Sequence, residues 1–309
     1  MSFLFFLAAF ILFLLSTTPY IKNPVKEAEL ASHFAFQYAI GAVILALLAG
    51  FAHAQIWTYV FLLGALLLSL AQFSSFIGGG AEPVETPTLK ILQANVLKLN
   101  RDTVKLRKLI AAEKPDVIIC AEVTPLFAKL FADMSSSYPY GLVEAEAKSS
   151  YGMALLSRLP LAGVESFSLD SPGNRAMAAQ LEWGGRVLDI FGIHPATPNV
   201  NLASRDREFD ALAARYTTRH DNLIVAGDFN ATPYCYAYKK LTRALHLKNA
   251  REGHGVLGSF PVFLPTGILK IAIDHVLTGT ALRATSCRLG ADIGSDHLPM
   301  IATIALQDV

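Results

Sequence analysis

Leu223-Ile224-Val225-Ala226-Gly227-Asp228-Phe229-Asn230 is an apolar run that closes on an acid and an amide. A short β-branched run bounded by turn residues reads as a buried strand. Asp228 and Asn230 are two residues apart, so on an extended chain they face the same side. Gly227 permits close backbone approach, and Pro233 helps to stop the strand. A carboxylate and a carboxamide presented together suit an oxyanion-bearing substrate. One can orient a nucleophile or bind a metal, and the other can donate to phosphate. The competing reading is a polar β-turn, because Asp and Asn favour turns.

The same ending recurs along the chain. Lys90-Ile91-Leu92-Gln93-Ala94-Asn95, Val117-Ile118-Ile119-Cys120-Ala121-Glu122 and Leu188-Asp189-Ile190-Phe191-Gly192-Ile193-His194 close on an amide, an acid and a histidine. Ala272-Ile273-Asp274-His275-Val276-Leu277 carries a pair inside its run, and Ser295-Asp296-His297 precedes the apolar run 299–306. Strands that finish on such groups deliver them to a sheet edge, and six of them predict an active site there. Helical patterns at 103–113, 125–134, 203–219 and 236–245 alternate irregularly with these strands, which predicts an α/β layered domain.

Glu122 ends a hydrophobic strand, where an unpartnered charge would cost several kcal/mol or be neutralised. A divalent cation is one remedy, with a hard oxygen ligand suiting magnesium or manganese; an arginine partner is the other. Asn95 and His194 carry no assignment alone. A carboxylate beside an imidazole can hold its tautomer and stabilise its cation. Spacing does not decide how the Asp274-His275 and Asp296-His297 pairs divide that work. Cys120 reads as a core thiol, and three cysteines at unrelated spacings form neither a zinc pattern nor a disulfide framework.

The 53% hydrophobic content comes mostly from the N-terminal quarter. Uncharged apolar stretches at 3–20, 34–54 and 56–77 each approach the roughly 20 residues that cross a bilayer core. They predict a three-helix transmembrane anchor over 1–77, with a tight hairpin at His53-Ala54-Gln55. The first stretch has no basic n-region or small-residue cleavage site, which argues against a signal peptide. A flexible linker is expected over 78–88 and one catalytic domain over 89–309. Two of the 26 Lys and Arg and four of the 25 Asp and Glu precede residue 88, so the remainder keeps an excess of only three positive charges. That is too little to announce a nucleic-acid partner.

Taken in order, Asn95, Glu122, His194, Gly227-Asp228-Phe229-Asn230, Ile273-Asp274-His275 and Ser295-Asp296-His297 resemble the endonuclease/exonuclease/phosphatase (DNase I-like) superfamily, across residues 89–306. With its apolar N-terminus the chain looks most like the bacterial membrane-anchored branch, which includes proteins linked to glycopeptide-antibiotic resistance. The resemblance implies a four-layer αββα sandwich and a metal-dependent hydrolase. It implies a magnesium or manganese ion held by Glu122, assisted by Asn95 and Asp296. It implies that Asp274 orients His297, which acts as general base or phosphate contact. Asp228 would position the attacking water, while Asn230 and His194 would contact the phosphate.

The expected activity is membrane-anchored hydrolysis of a phosphate ester or diphosphate, with lipid-linked phosphates among the substrates. The apolar residues Phe260, Val262, Phe263, Leu264, Ile268 and Leu269 before the site favour that reading, although core packing or contact with the anchor would also use them. A tethered nuclease is the alternative; Arg101, Lys105, Arg107 and Lys108, and Arg205, Arg207, Arg215 and Arg219, form its basic clusters. A catalytically inactive membrane-binding domain is the third reading. The expected partners are the bilayer and a phosphorylated substrate, lipid-linked or nucleic acid, with no protein partner evident. The expected location is the cell membrane, multi-pass. Lys22 and Lys26 in the first loop lean towards a cytoplasmic catalytic domain, whereas the family resemblance leans extracytoplasmic.

Overall fold

The computed structural model describes residues 2–78, 87–170, 174–216 and 221–307. Most of the expected linker, 79–86, lies outside them. The N-terminal region holds α1 (Ser2–Thr17), α2 (Lys26–Ser32), α3 (Ala35–Phe51) and α4 (Ile56–Phe73). Continued by short 3-10 turns, α1 and α4 give helices of 19 and 21 residues, Ser2–Tyr20 and Ile56–Phe76, that are long and apolar enough to cross a membrane. The middle stretch is different from the single straight span expected: α3 has 17 residues and meets α2 at a bend of 69°, so it counts as a span only with α2. Two or three apolar helices therefore stand at the N-terminus. No periodic apolar signal announces α2, which carries Lys26, Glu27 and Glu29.

Twelve strands follow among the described residues. β1 (Thr88–Asn95), β2 (Val117–Ala121), β3 (Tyr140–Glu144), β4 (Met153–Ser157), β11 (Leu282–Leu289) and β12 (Met300–Leu306) make one sheet in the order β11-β12-β1-β2-β4-β3. The second sheet contains β5 (Leu161–Ser168), β6 (Arg175–Trp183), β7 (Arg186–Ile193), β8 (Leu223–Asp228), β9 (Lys248–Asn249) and β10 (Asp274–Thr278), in the order β5-β6-β7-β8-β10-β9. Both are mixed: β1 runs parallel to β2 and β7 parallel to β8, and the other pairs are antiparallel. α5 (Thr103–Glu113) and α6 (Pro125–Ala132) cover the first sheet, and α7 (Pro198–Arg215) and α8 (Tyr236–Ala244) the second. The expected αββα sandwich is what forms. α7 begins earlier than its 203–219 pattern and kinks at Asn201, while Arg219 lies outside the described residues.

Strand alternation assigns the layers. Leu89 and Ile91 of β1, Val117 and Ile119 of β2, Ile224 and Ala226 of β8 and Val276 of β10 fill the space between the sheets. Leu92, Ala94, Ile118 and Cys120 face α5 and α6, whereas Val225 and Leu277 face α7 and α8. Burial pushes the Cys120 thiol up to about 12, in keeping with a core residue.

The N-terminal helices are docked on the sandwich. Ala35, Ala39, Phe73 and Phe76 pack with Tyr234. Gln37 Nε2 donates to the carbonyls of Ile268 and Lys270 at 2.9 and 3.0 Å. The deepest tie is ionic: Arg205 Nη2 of α7 lies 2.5 Å from Glu29 Oε1 of α2, and both side chains are 1% exposed. Asp206, which is 38% exposed, is the other acid bound to Arg205. Removing one partner of a buried pair strands the other charge, typically at a cost of about 3–5 kcal/mol. Glu29→Leu should therefore destabilise the full-length chain by about 3 kcal/mol in denaturant unfolding in detergent. Glu29→Leu with Arg205→Met should recover most of that loss, whereas an additive double variant would mean that the pair does not couple the two regions.

Candidate active site

The face that holds the core between the sheets becomes polar at one end. On β1 it runs Leu89, Ile91, Gln93, Asn95; on β8, Ile224, Ala226, Asp228; on β10, in the opposite direction, Val276 then Asp274. Period-2 alternation puts each polar group on the line of the apolar ones before it. Asp228 and Asp274 are direct partners in the β8–β10 ladder, and Asn95 is level with Ala121 of β2, one residue before Glu122. At Gly227 a Cβ would sit 1.9 Å from the Ile193 carbonyl oxygen, so a side chain there would push apart the strands that carry His194 and Asp228.

The structure resolves the two Asp-His pairs. Asp274 Oδ2 bonds His297 Nδ1 at 2.8 Å, and Gln93 Nε2 donates to Asp274 Oδ1 at 2.9 Å. His275 points to the other face of β10, where its Nε2 meets the Ala231 carbonyl at 2.9 Å and its Nδ1 meets Arg251 at 2.7 Å and Asn249 at 2.9 Å. Burial, then Arg251, holds His275 well below 6.5, which marks it as a neutral core histidine. Nε2 of His297 and Nε2 of His194 each lie 3.7 Å from Asp228 Oδ2. Burial alone would lower the His297 value, but the carboxylates of Asp274 and Asp228 raise it to about 10. Asp274 is held low because His297 outweighs its burial, whereas burial leaves Asp228 raised. Both carboxylates thus favour the charged form of His297.

Glu122 sits just past β2 at φ 60, an uncommon conformation for a non-glycine residue. Its oxygens accept the Lys98 backbone N–H at 2.9 Å and the Asn95 amide at 3.1 Å. The same Asn95 nitrogen reaches Asp228 Oδ2 at 3.0 Å. Asn230, at φ 50, donates its side-chain amide to the Pro195 carbonyl at 3.0 Å, and its backbone N–H bonds Asp228 Oδ1 at 2.9 Å. Glu122, His194, Asp228, Asn230, Asp296 and His297 border a single cleft of about 1000 Å³. Asn95 and Asp274 stand behind it. Gln93 and Ser295 went unnoticed in the sequence; Ser295 Oγ bonds the Asn95 carbonyl at 2.7 Å and receives the His297 N–H at 3.1 Å. Their signals were the inner-face period of β1 and the residue preceding Asp296-His297.

The profile described as the Endonuclease/Exonuclease/phosphatase family matches residues 92–297. The chain belongs to the endonuclease/exonuclease/phosphatase family. No curated protein matches it in sequence. Solved structures share the fold at low identity. D. rerio TDP2 complexed with single strand DNA product is 17% identical, with a TM-score of 0.57 over 70% of this chain and 98% of that one. The human Nocturnin catalytic domain with bound sulfate anion is 20% identical, with a TM-score of 0.56 over 72% and 96%. A Bacteroides thetaiotaomicron mannosyl-6-phosphatase is 15% identical, with a TM-score of 0.60 over 71% and 100%.

Members of the endonuclease/exonuclease/phosphatase family are metal-dependent hydrolases, phosphoesterases and nucleases. The residues present fit a divalent cation. Glu122 and Asp296 border the cleft with carboxylate oxygens, and no ion pair among the described residues engages either of them. The arginine partner considered for Glu122 is therefore not what holds it. Asp228, Asp274 and His297 also bring ligand atoms within 4.8 Å of one another, but the Asp274–His297 bond already uses two of them. A second such group, Glu29, His33 and Cys235, is occupied differently: Arg205 binds Glu29, and burial holds the Cys235 thiol neutral, up to about 12.

The His297 value lies above the 6.5 of an unpaired imidazole, so the histidine's contribution to stability is complete below about pH 6.5 and is lost as pH rises towards 10. Replacing Asp274 by Asn should lower the His297 titration by roughly one to three pH units. The stability gap between wild type and Asp274→Asn should narrow over that window, read by denaturant unfolding in detergent. A gap that stays constant with pH would exclude a charged pair.

Proposed function

We propose that the chain is a membrane-anchored, divalent-metal-dependent phosphoesterase, with residues 1–77 as anchor and 89–309 as catalytic domain, that hydrolyses a lipid-linked phosphate ester or diphosphate. One observation carries the reading. The cleft that gathers Glu122, Asp228 and His297 is bordered on another side by Leu30, His33 and Phe34 of the apolar N-terminal region.

Glu122, with Asn95 and Asp296, would hold a magnesium or manganese ion, which supplies Lewis-acid polarisation of a phosphoryl oxygen. Asp228 Oδ2 faces both histidines across gaps of 3.7 Å, which a water can bridge. Burial raises the proton affinity of Asp228, which suits it to orient an attacking water and take its proton. Held charged by Asp274, His297 donates to the phosphate and stabilises charge that grows in the transition state. This favours the phosphate-contact role over the general-base role. The second amide hydrogen of Asn230 adds a donor, and His194, whose Nδ1 donates to the Ser150 carbonyl at 3.2 Å, would contact the phosphate from the same cleft.

Five of the eight clustered cations are paired, which weighs against a nucleic-acid groove needing free cations along a phosphate track; Arg101 and Lys108 have no ion pair among the described residues, and Arg219 lies outside them. Lys105 pairs with Asp292 at 3.1 Å and Arg107 with Asp133 at 3.2 Å. Arg205 is buried against Glu29, Arg207 pairs with Asp170, and Arg215 pairs with Glu165.

The test offers detergent-purified full-length chain a prenyl diphosphate and plasmid DNA in parallel, with magnesium or EDTA. Phosphate release from the lipid, lost in EDTA, is the expected result. Asp228→Asn and His297→Ala should each slow it about 10²–10⁴-fold, and Glu122→Gln should move the magnesium titration to higher concentration. Nicking of DNA with no release from the lipid would replace this reading with a tethered nuclease.

A further inference from the structure

We propose that the elbow between α2 and α3 is a wall of the active site, and that Leu30 and Phe34 on it select substrates whose phosphate carries a long aliphatic tail. The selection adds to the phosphoesterase reading and rests on it for the identity of the reacting group. The cleft is asymmetric. Its floor is polar and buried, with Asp228 1% and His297 5% exposed. Its sides carry Leu30 and Phe34 from the anchor, Val200 from the start of α7, and Phe260 and Ile271 from the loop before β10. Apolar surface reaches the reacting end, because the Phe260 ring lies 4.7 Å from the His297 ring, centroid to centroid.

The outer apolar residues are only partly covered by protein. Val200 is 82% exposed and Phe34 40%. Phe260 and Ile271 bridge each other, and the loop between them presents Phe263, Ile268 and Leu269 to the outside. Gln37 of α3 ties that loop to the anchor through the Ile268 and Lys270 carbonyls. A hydrophilic phosphate ester would leave this rim wet, whereas an aliphatic chain leaving the floor would bury it, at roughly fourfold in affinity per methylene removed from water.

The elbow is held rather than tethered. Glu29, one residue before Leu30, forms the buried pair with Arg205, and Ser32 Oγ lies 3.4 Å from Cys235 Sγ. Nη1 of that same Arg205 reaches the Asn230 carbonyl at 3.5 Å. The wall and the catalytic strand end thus share one rigid contact, which keeps the tail-binding side in register with the floor.

The test uses full-length chain in detergent with magnesium and two probes that cannot be hydrolysed, octylphosphonate and methylphosphonate, titrated by calorimetry. Wild type should bind the octyl probe at least tenfold more tightly. Leu30→Ala with Phe34→Ala should cut that preference at least tenfold, and Phe34→Leu alone should retain most of it, with thermal unfolding confirming that each variant is folded. Equal affinity of wild type for the two probes, or a preference untouched in the double variant, overturns the proposal. Because binding is read without turnover, a Phe34-dependent preference in a chain that does not hydrolyse prenyl diphosphate keeps the wall and overturns the lipid-diphosphate substrate of the proposed function. Hydrolysis of the lipid with no such preference does the reverse.

Discussion

Two carboxylates facing each other across one rung of an antiparallel ladder, both removed from water, constrain everything around them. Asp228 and Asp274 are 1% and 0% exposed. Like charges buried together cannot both stay ionised unless something compensates them. His297 does so by bonding Asp274 and facing Asp228, while Gln93 donates to Asp274 and Asn95 to Asp228 from the other sheet. The catalytic floor therefore depends on the sandwich being assembled, since half of its support comes from each sheet. Loss of the packing between the sheets would leave the acids both unsupported and solvated.

A second constraint comes from the N-terminal helices. Arg205 is buried where α7 meets α2, and an isolated guanidinium there would be costly. Glu29 from the N-terminal helices and Asp206 from α7 supply the countercharge, so the apolar helices are joined to the sandwich through a buried ion pair. The apolar rim of the cleft takes its place in that arrangement. It lies where the N-terminal helices meet the sheets, with Leu30, His33 and Phe34 on one side and Asp228 and His297 at the floor.

Much of this was legible in the chain. The strand-end positions 95, 122, 194, 228 and 230 stood out because alternation and β-branching mark the strands, and a polar group closing a buried strand needs a reason. The helices over 103–113 and 236–245 fell close to their patterns, because amphipathic spacing is a local signal. Less legible were Gln93 and Ser295, whose side chains do not differ in kind from any polar strand residue and matter only through what they touch. The elbow at α2 was missed because a seven-residue charged helix carries too short a period to read.

By itself, the sequence determined the layered α/β class, the family and the line of polar strand ends, since each is encoded in short-range periodicity and residue order. Only the tertiary structure decided that Asp274 pairs with His297 and leaves His275 to the core. Adjacent residues on a strand point to opposite faces, and which face meets the other sheet depends on how the two sheets stack. The tertiary structure alone also decided that Glu29 meets Arg205 and that Leu30 and Phe34 border the cleft. Those contacts join segments far apart in the chain through a bend and a buried charge, for which no local pattern exists.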